Sequence, residues 1–212
     1  MATKKRINKV IKCLVLSDLV FWAGWGLVTP IFAIFIVNNI EGGSILVVGI
    51  ASAIYSILMA ILRIPFGMYL DKRPGEKDDF WFLTLGLFTA ALTPFGFIFS
   101  TTPLQIYLLQ SIHAIGMAMS LSAWPAIFTR HLDKGKESTE WGLDATAIGL
   151  GGGIFEAIGG WAVTQFGFNL VFIAVGVLGI IGAMILIALK DEIKKSSDHA
   201  IYFGPTDIFK NE

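Results

Sequence analysis

Between two long apolar runs lies the charged stretch Gly67-Met68-Tyr69-Leu70-Asp71-Lys72-Arg73-Pro74-Gly75-Glu76-Lys77. A membrane-spanning helix needs ~20 mostly apolar residues, and both flanking runs reach that length. Charges and a Pro-Gly break between two such runs predict a tight turn at a membrane face. The stretch therefore predicts a polytopic membrane protein whose helices are joined by short polar connections.

The composition also indicates a membrane protein. The 212 residues are 55% hydrophobic and 15% charged, whereas soluble domains carry about 25% charged residues. The net charge of zero gives no general attraction to nucleic acid. A single cysteine, Cys13, excludes an intrachain disulfide. Because the histidines lack metal-ligand spacing and no nucleotide-binding or catalytic motif occurs, we expect no metal, no cofactor and no enzymatic activity.

Six stretches are long and apolar enough to span a bilayer. They are residues 13–37, 45–70, 80–99, 104–128, 142–163 and 170–189, called spans 1 to 6 below. Residues 1–12 are predicted to form a basic cytoplasmic N-terminus, 13–189 a six-helix bundle and 190–212 a polar cytoplasmic tail. The first apolar stretch exceeds the ~7–15 residues of a signal-peptide core, which predicts an uncleaved span.

The basic residues predict the orientation. Every Lys and Arg except Arg63 lies before span 1, between spans 2 and 3, between spans 4 and 5, or after span 6. The three remaining connections, 38–44, 100–103 and 164–169, contain none. Cytoplasmic loops are enriched in Lys and Arg, so both termini are predicted to be cytoplasmic in a multi-pass protein of the cell membrane.

Spans 2 and 5 share a pattern that predicts an internal repeat. Arg63 stands four residues before Gly67, and Glu156 stands four residues before Gly160, with a turn after each glycine. Span 2 runs inward and span 5 outward. Spans 1–3 and 4–6 would then be two inverted three-helix repeats, a common transporter plan.

The stretch from Gly67 to Lys77 resembles the signature loop of the major facilitator superfamily, G-x-x-x-D-[RK]-x-G-[RK]-[RK], which joins its second and third spans. The match has one extra residue between Asp71 and Gly75, and Glu76 stands where a base is usual. By this resemblance, Gly67, Asp71 and Lys72 belong to a conformational gate. Asp71 would accept backbone N–H groups from a helix of the opposing half that starts near residues 141–142.

Span 5 resembles the family's glycine-rich antiporter motif at Gly142, Gly151, Gly159 and Gly160. Phe155 and Glu156 replace its Gly-Pro, so antiport is not implied. Span 4 also lacks the arginine often seen near its start in this family.

The family usually has twelve spans in two halves, and this chain carries one half. The resemblance implies an all-α membrane protein equivalent to one half of that fold, paired with itself or with a different six-span chain, or else a fragment. It also implies that spans 1, 2, 4 and 5 line the cavity while 3 and 6 face lipid. The ionisable residues inside spans follow this division, since they are Asp18, Arg63, His113, Asp144 and Glu156.

The candidate substrate-binding and coupling residues are Trp22, Trp25, Tyr55, Arg63, Gln110, His113 and Glu156. Alternatives stay open for most of them. The tryptophans are either cavity walls or ordinary packing residues. His113 is either a proton relay or a histidine hydrogen-bonded to a neighbouring helix. Arg63 is a ligand for an anionic substrate, the partner of an intramembrane acid, or a side chain that snorkels to the interface.

Two further groups complete the predicted site. Asp144 is expected in the first turn of span 5, where it would stabilise the helix N-terminus and join the gate. The small-residue face of Gly149, Gly152 and Gly160 is expected to pack the dimer through spans 2 and 5.

The predicted function is a half-sized secondary transporter of a small solute that works by alternating access as a homodimer. Its partners would be a second copy, the bilayer and the solute, with protons as a further candidate. The alternatives are a half that needs a different six-span partner, and a non-transporting receptor or assembly protein.

Overall fold

The computed structural model describes residues 7–73 and 75–190, and within those residues every regular element is a helix. The helices are α1 Lys9–Val28, α2 Phe32–Asn39, α3 Ile45–Asp71, α4 Lys77–Ile98, α5 Pro103–Arg130 and α6 Glu137–Ile187. Among them, α1, α3, α4, α5 and α6 are long and apolar enough to cross a membrane. The predicted all-helical membrane protein is therefore confirmed. The predicted tail beyond residue 190 and the N-terminal residues 1–6 lie outside the described residues.

Local sequence explains where the helices begin. The side chain of Asn8 accepts a hydrogen bond from the N–H of Val10, which satisfies an otherwise unpaired donor at the start of α1. Ser44 does the same for Val47 at the start of α3. Thr102 and Gln105 form a capping box at α5. Since α1 begins at Lys9, the last residues of the predicted N-terminal segment 1–12 belong to the first helix.

The predicted span 1, residues 13–37, is two helices rather than one. The chain turns at residues 29–31, between α1 and α2. Pro30 lacks a backbone N–H and cannot continue the hydrogen bonds of α1, which accounts for a break at this point. The prediction of a single helix over residues 13–37 was therefore wrong. The second helix, α2, has only eight residues.

The predicted connection 164–169 is reduced to a single non-helical residue. Gly167 adopts φ 76° and ψ 170° inside the 51-residue α6, a backbone conformation open mainly to glycine. It divides α6 into a first arm, residues 137–166, and a second arm, residues 168–187. The first arm also begins at Glu137, five residues earlier than predicted.

Helix α1 lies between the two arms of α6. A Cβ on Gly151 would lie 2.8 Å from the carbonyl oxygen of Leu19, and Gly159 meets Leu27 further along, so the first arm runs parallel to α1. On the second arm, Gly182 lies opposite Ser17, whose Oγ donates to the Gly182 carbonyl at 2.9 Å. Gly24 lies opposite Val175, so the second arm runs antiparallel to α1. The chain therefore reverses direction at Gly167.

The remaining helices differ in how closely they pack against the rest of the bundle. Helix α4 packs closely on α5, since a Cβ on Gly116 would lie 2.6 Å from the carbonyl oxygen of Gly86. Helix α3 packs mainly on α5, contacts α4 through Phe66 and Tyr69 against Phe82, and buries only Val47, Ala51 and Leu70. The bundle thus has one well-covered side and one open side, which includes α3.

Adding one methyl group at Gly159 is expected to destabilise the subunit. A Cβ there would meet the backbone carbonyl of Leu27, which cannot move without shifting α1. Overpacking of this kind costs about 1–3 kcal/mol. We expect Gly159→Ala to lower the thermal unfolding midpoint, measured by helical circular dichroism in a detergent that holds the monomer. Gly153→Ala is the control, since nothing lies within 4 Å of its Cβ position, and equal effects of the two changes would contradict the packing.

Candidate functional site

A cavity of about 250 Å³ opens between α1, α3 and α5. Aromatic and polar side chains line it, and five of them are predicted site residues: Trp22, Trp25, Tyr55, Gln110 and His113. They converge because α1 and α3 each present one face to α5. The structure thus brings together five of the seven predicted residues, and their contact with a substrate stays a prediction.

His113 is held firmly in this cavity. Its ring lies between Trp25, at a centroid distance of 4.2 Å, and Tyr55, stacked at 5.1 Å. Its Nδ1 lies 3.3 Å from the Oγ1 of Thr93, which gives its own proton to the carbonyl of Ala90 at 2.8 Å. The hydroxyl is therefore an acceptor and the Nδ1–H of His113 a donor. This geometry matches the alternative of a histidine hydrogen-bonded to a neighbouring helix, here α4.

A second cavity, of about 230 Å³, adjoins the first. Phe21, Trp22 and Met117 line both. Asp18 of α1 and Asp144 of α6 both line the second cavity, which brings two acidic side chains from different helices together.

The position of Asp144 corrects a prediction. We expected it in the first turn of its helix, but α6 begins at Glu137 and Asp144 lies two turns inside. It is buried, with 5% of its surface exposed, and lines the cavity. The stripe of Asp18, Trp22 and Trp25 on α1 was visible in the sequence, but its partner on α6 was not. Only a correct helix start would have placed Asp144 at this depth.

Arg63 and Glu156 lie outside both cavities. The Nη2 of Arg63 donates to the carbonyl of Leu121 at 3.2 Å, and the Oγ of Ser122 donates to the Arg63 carbonyl at 3.2 Å. Both Arg63 and Glu156 are exposed, and Glu156 has no ion-pair partner among the residues the structure describes. Within one subunit, they therefore do not join the other five predicted residues.

The predicted gate residues lie at one end of the bundle. Gly67 is near the end of α3, Asp71 is its last residue and Lys72 caps it. Asp71 is exposed and has no ion-pair partner in the described part of the chain. Beside it, Arg130 forms ion pairs with Asp79 and with Glu76, the latter at 3.7 Å. These pairs join the start of α4 to the end of α5.

The sequence model of the Major Facilitator Superfamily matches residues 14–204. The chain belongs to the major facilitator superfamily. The predicted family is therefore confirmed, and the 212 residues correspond in size to one half of a usual member. Members of this family are secondary transporters rather than enzymes, which makes this chain a multi-pass membrane protein of a transporter family. Neither a curated protein nor a solved structure matches the chain.

In this major facilitator half, the glycines of α6 divide into two groups. Gly151 and Gly159 pack against the backbone of α1. Gly149 and Gly160 have no atom within 4 Å of a Cβ position, and the Cβ position of Gly152 has only Glu156 of its own helix nearby, at 4.0 Å, although the backbone of Gly152 packs against Gly26 of α1. The Cβ positions of the three glycines predicted for dimer packing therefore point to open space within the subunit. The dimer itself stays a prediction.

Proposed function

We propose that this chain is a half-sized secondary transporter that moves a small solute by alternating access as a homodimer. The observation that carries the proposal is the position of the two cavities, on the α1–α5 seam beside the open side of the bundle. In one subunit, each cavity is only partly enclosed. A second copy related by a two-fold axis normal to the membrane would close one cavity from both sides, as the two halves of a full transporter do.

The exposed charged side chains of Arg63 and Glu156 support a second copy as the partner. Arg63 and Glu156 are exposed on α3 and on the first arm of α6, both within helices of membrane-spanning length. A charge in contact with lipid is costly, so each needs a partner or water. The two charges are opposite in sign, and Arg63 of one copy would therefore complement Glu156 of the other. A different six-span chain would have to supply both an acidic partner for Arg63 and a basic partner for Glu156.

We further propose that each copy crosses the membrane six times. An unbroken helix of 51 residues would measure about 76 Å at 1.5 Å per residue, more than twice a hydrocarbon core of ~30 Å. The reversal at Gly167 makes each arm of α6 one span, and α1 with α2 makes another. An even number of spans keeps both termini on the cytoplasmic side that the basic residues indicate. Two inverted three-helix repeats complete this plan.

The transport cycle would be a rocking of the two copies about the cavity. Asp71, at the end of α3, would accept N–H groups from the start of the partner's α6, where the helix dipole is positive. That contact would close the cytoplasmic side while the opposite side is open. The ion pairs of Arg130 with Asp79 and Glu76 would keep the ends of α4 and α5 together as one moving body. The energy would come from a solute or proton gradient.

Accessibility of one cavity residue from both membrane faces tests this proposal without knowledge of the solute. Tyr55 lines the first cavity and lies ten residues into α3, about 15 Å along the helix. In a Cys13→Ser background, we expect Tyr55→Cys to react with a membrane-impermeant thiol reagent applied to either face of sealed vesicles. Ile57→Cys is the control at nearly the same depth, because Ile57 is 59% exposed and lies on another face of α3.

Reaction of Tyr55→Cys from one face only would contradict alternating access and favour a receptor or assembly protein. A protein that reacts from both faces only after another membrane protein is added would favour the heteromeric half. Ile57→Cys is expected to react from neither face, because it would contact lipid.

A further inference from the structure

The acid pair lies in a cavity with unsatisfied polar atoms. Asp144 and Trp124 line the second cavity, and the Oδ1 of Asp144 and the indole Nε1 of Trp124 are buried and have no hydrogen-bond partner among the described residues. The two side chains are only 5% and 8% exposed. Buried polar atoms are nearly always paired in native proteins, so such atoms indicate an absent partner. One of them is an acceptor and the other a donor.

The walls around the acid pair are aromatic. Trp22 is shared by both cavities, Trp124 lines the second, and Trp25 and Tyr55 line the first. Indole and phenol rings attract a cation placed over their faces, most strongly when water is excluded. No Lys or Arg lines either cavity in the part of the chain that the structure describes. The ionisable side chains in the lining of the second cavity are the two acids Asp18 and Asp144, which favours a cation over an anion.

From this arrangement we infer that the Asp18–Asp144 pair is the recognition site for an organic monocation, an ammonium group on an aromatic body that also carries an acceptor oxygen. The inference rests on the proposed transport function and names its substrate class. The ammonium would donate to Asp144 Oδ1 in a charge-assisted hydrogen bond. The ring would lie against Trp22, and an oxygen would accept from an indole N–H, at Trp124 or at Trp25, whose Nε1 is also unpartnered.

The size of the two cavities narrows the class of ligand. Each cavity is smaller than the ~300–1,000 Å³ of a pocket for a drug-sized ligand. One ring with a short charged arm suits this space better than a multi-ring compound. Arg63, considered from the sequence as a ligand for an anionic substrate, is not part of either cavity lining, and its Nη2 donates to the backbone carbonyl of Leu121, which lines the second cavity.

Three nearly isosteric probes test the inference. Tyramine is a monocation, tyrosol is its neutral alcohol, and 3-(4-hydroxyphenyl)propanoate is the anion. Binding is measured by isothermal titration calorimetry on the full-length protein in lipid nanodiscs. We expect tyramine to bind at least ~10-fold more tightly than tyrosol, and the anion not to bind. Asp144→Asn should weaken tyramine at least ~10-fold while leaving tyrosol unchanged, a split that general damage to the cavity would not produce.

A second substitution keeps the test valid if Asp144→Asn does not fold properly. If Asp144→Asn lowers the thermal unfolding midpoint, Asp18→Asn is used, with the same expectation for tyramine against tyrosol. Equal binding of tyramine and tyrosol, preference for the anion, or no binding of any probe would overturn the inference. Failure here is distinguishable from failure of the transport proposal, because Tyr55→Cys accessibility is measured without a ligand. Tyramine binding with one-sided accessibility would instead indicate an amine receptor.

Discussion

Replacing Arg63 by Gln is expected to raise the dissociation constant of the homodimer by at least ~100-fold. The proposed dimer places Arg63 of each copy beside Glu156 of the other, in two symmetric pairs. Removal of one member leaves the other charge buried and unpaired, at a cost of about 3–5 kcal/mol for a buried pair. Every 1.4 kcal/mol is a tenfold change in an equilibrium constant. Glu156→Gln should have an effect of the same size.

The geometry of the two helices supports this pairing. Arg63 lies eight residues before the end of α3, and Glu156 lies eleven residues before the reversal at Gly167. They are therefore ~12 Å and ~16 Å from opposite membrane faces. In a core of ~30 Å the two backbones lie within a few ångströms of each other in depth, which an arginine side chain can span. Within one subunit, the guanidinium of Arg63 donates to the carbonyl of Leu121 on α5.

A double-mutant cycle on the dimerisation free energy checks the pair. Arg63→Gln with Glu156→Gln should dimerise better than either single variant, since no charge is then left unpaired. Dimerisation is measured by single-molecule photobleaching at a series of protein-to-lipid ratios. Arg130→Gln is the control, because it removes a charge whose ion pairs lie within the subunit. Simple additivity of the two single effects would rule out the pair.

Replacing Gly152 by Leu is expected to release monomers from the dimer. Gly149, Gly152 and Gly160 share a face of the first arm with Glu156, and side chains at their Cβ positions would point away from the rest of the subunit. In lipid, small residues allow close approach of helices and the packing contacts that hold them together. A leucine would keep the two faces apart and also disturb the Arg63–Glu156 pairs. We expect the change to be seen as monomer in native mass spectrometry from mild detergent.

The first arm offers a matched control for this change. A second exposed stripe contains Leu150, Ile154 and Ile158, which are large apolar residues suited to lipid. Ile154→Phe adds bulk on that stripe and should leave the dimer intact. Gly151→Leu should instead reduce the yield of folded protein, because Gly151 packs against the backbone of α1. A dimer that survives Gly152→Leu would mean that the interface lies elsewhere.

Sequence alone determined the family, the membrane class and the extent of most long helices. Apolar runs of spanning length leave the backbone no alternative to helix in a bilayer, and the charged stretch after Gly67 can lie only at a membrane face. The predicted ends of spans 2, 3 and 4 differ from α3, α4 and α5 by a few residues. Helical spacing also placed Trp22 and Trp25 on one face, where the structure has them line a cavity.

Only the tertiary structure decided which helices meet and which polar residues face each other. Hydropathy did not reveal that α1 lies between two antiparallel arms, because that arrangement depends on backbone contacts at glycines such as Gly151 and Gly182. The break after Val28 and the single-residue reversal at Gly167 are likewise local backbone events inside apolar runs. Asp18 and Asp144 are far apart in the chain, and they meet because α1 packs along the first arm. A carboxyl pair of this kind depends on the packing of two helices, and no periodicity within either helix encodes it.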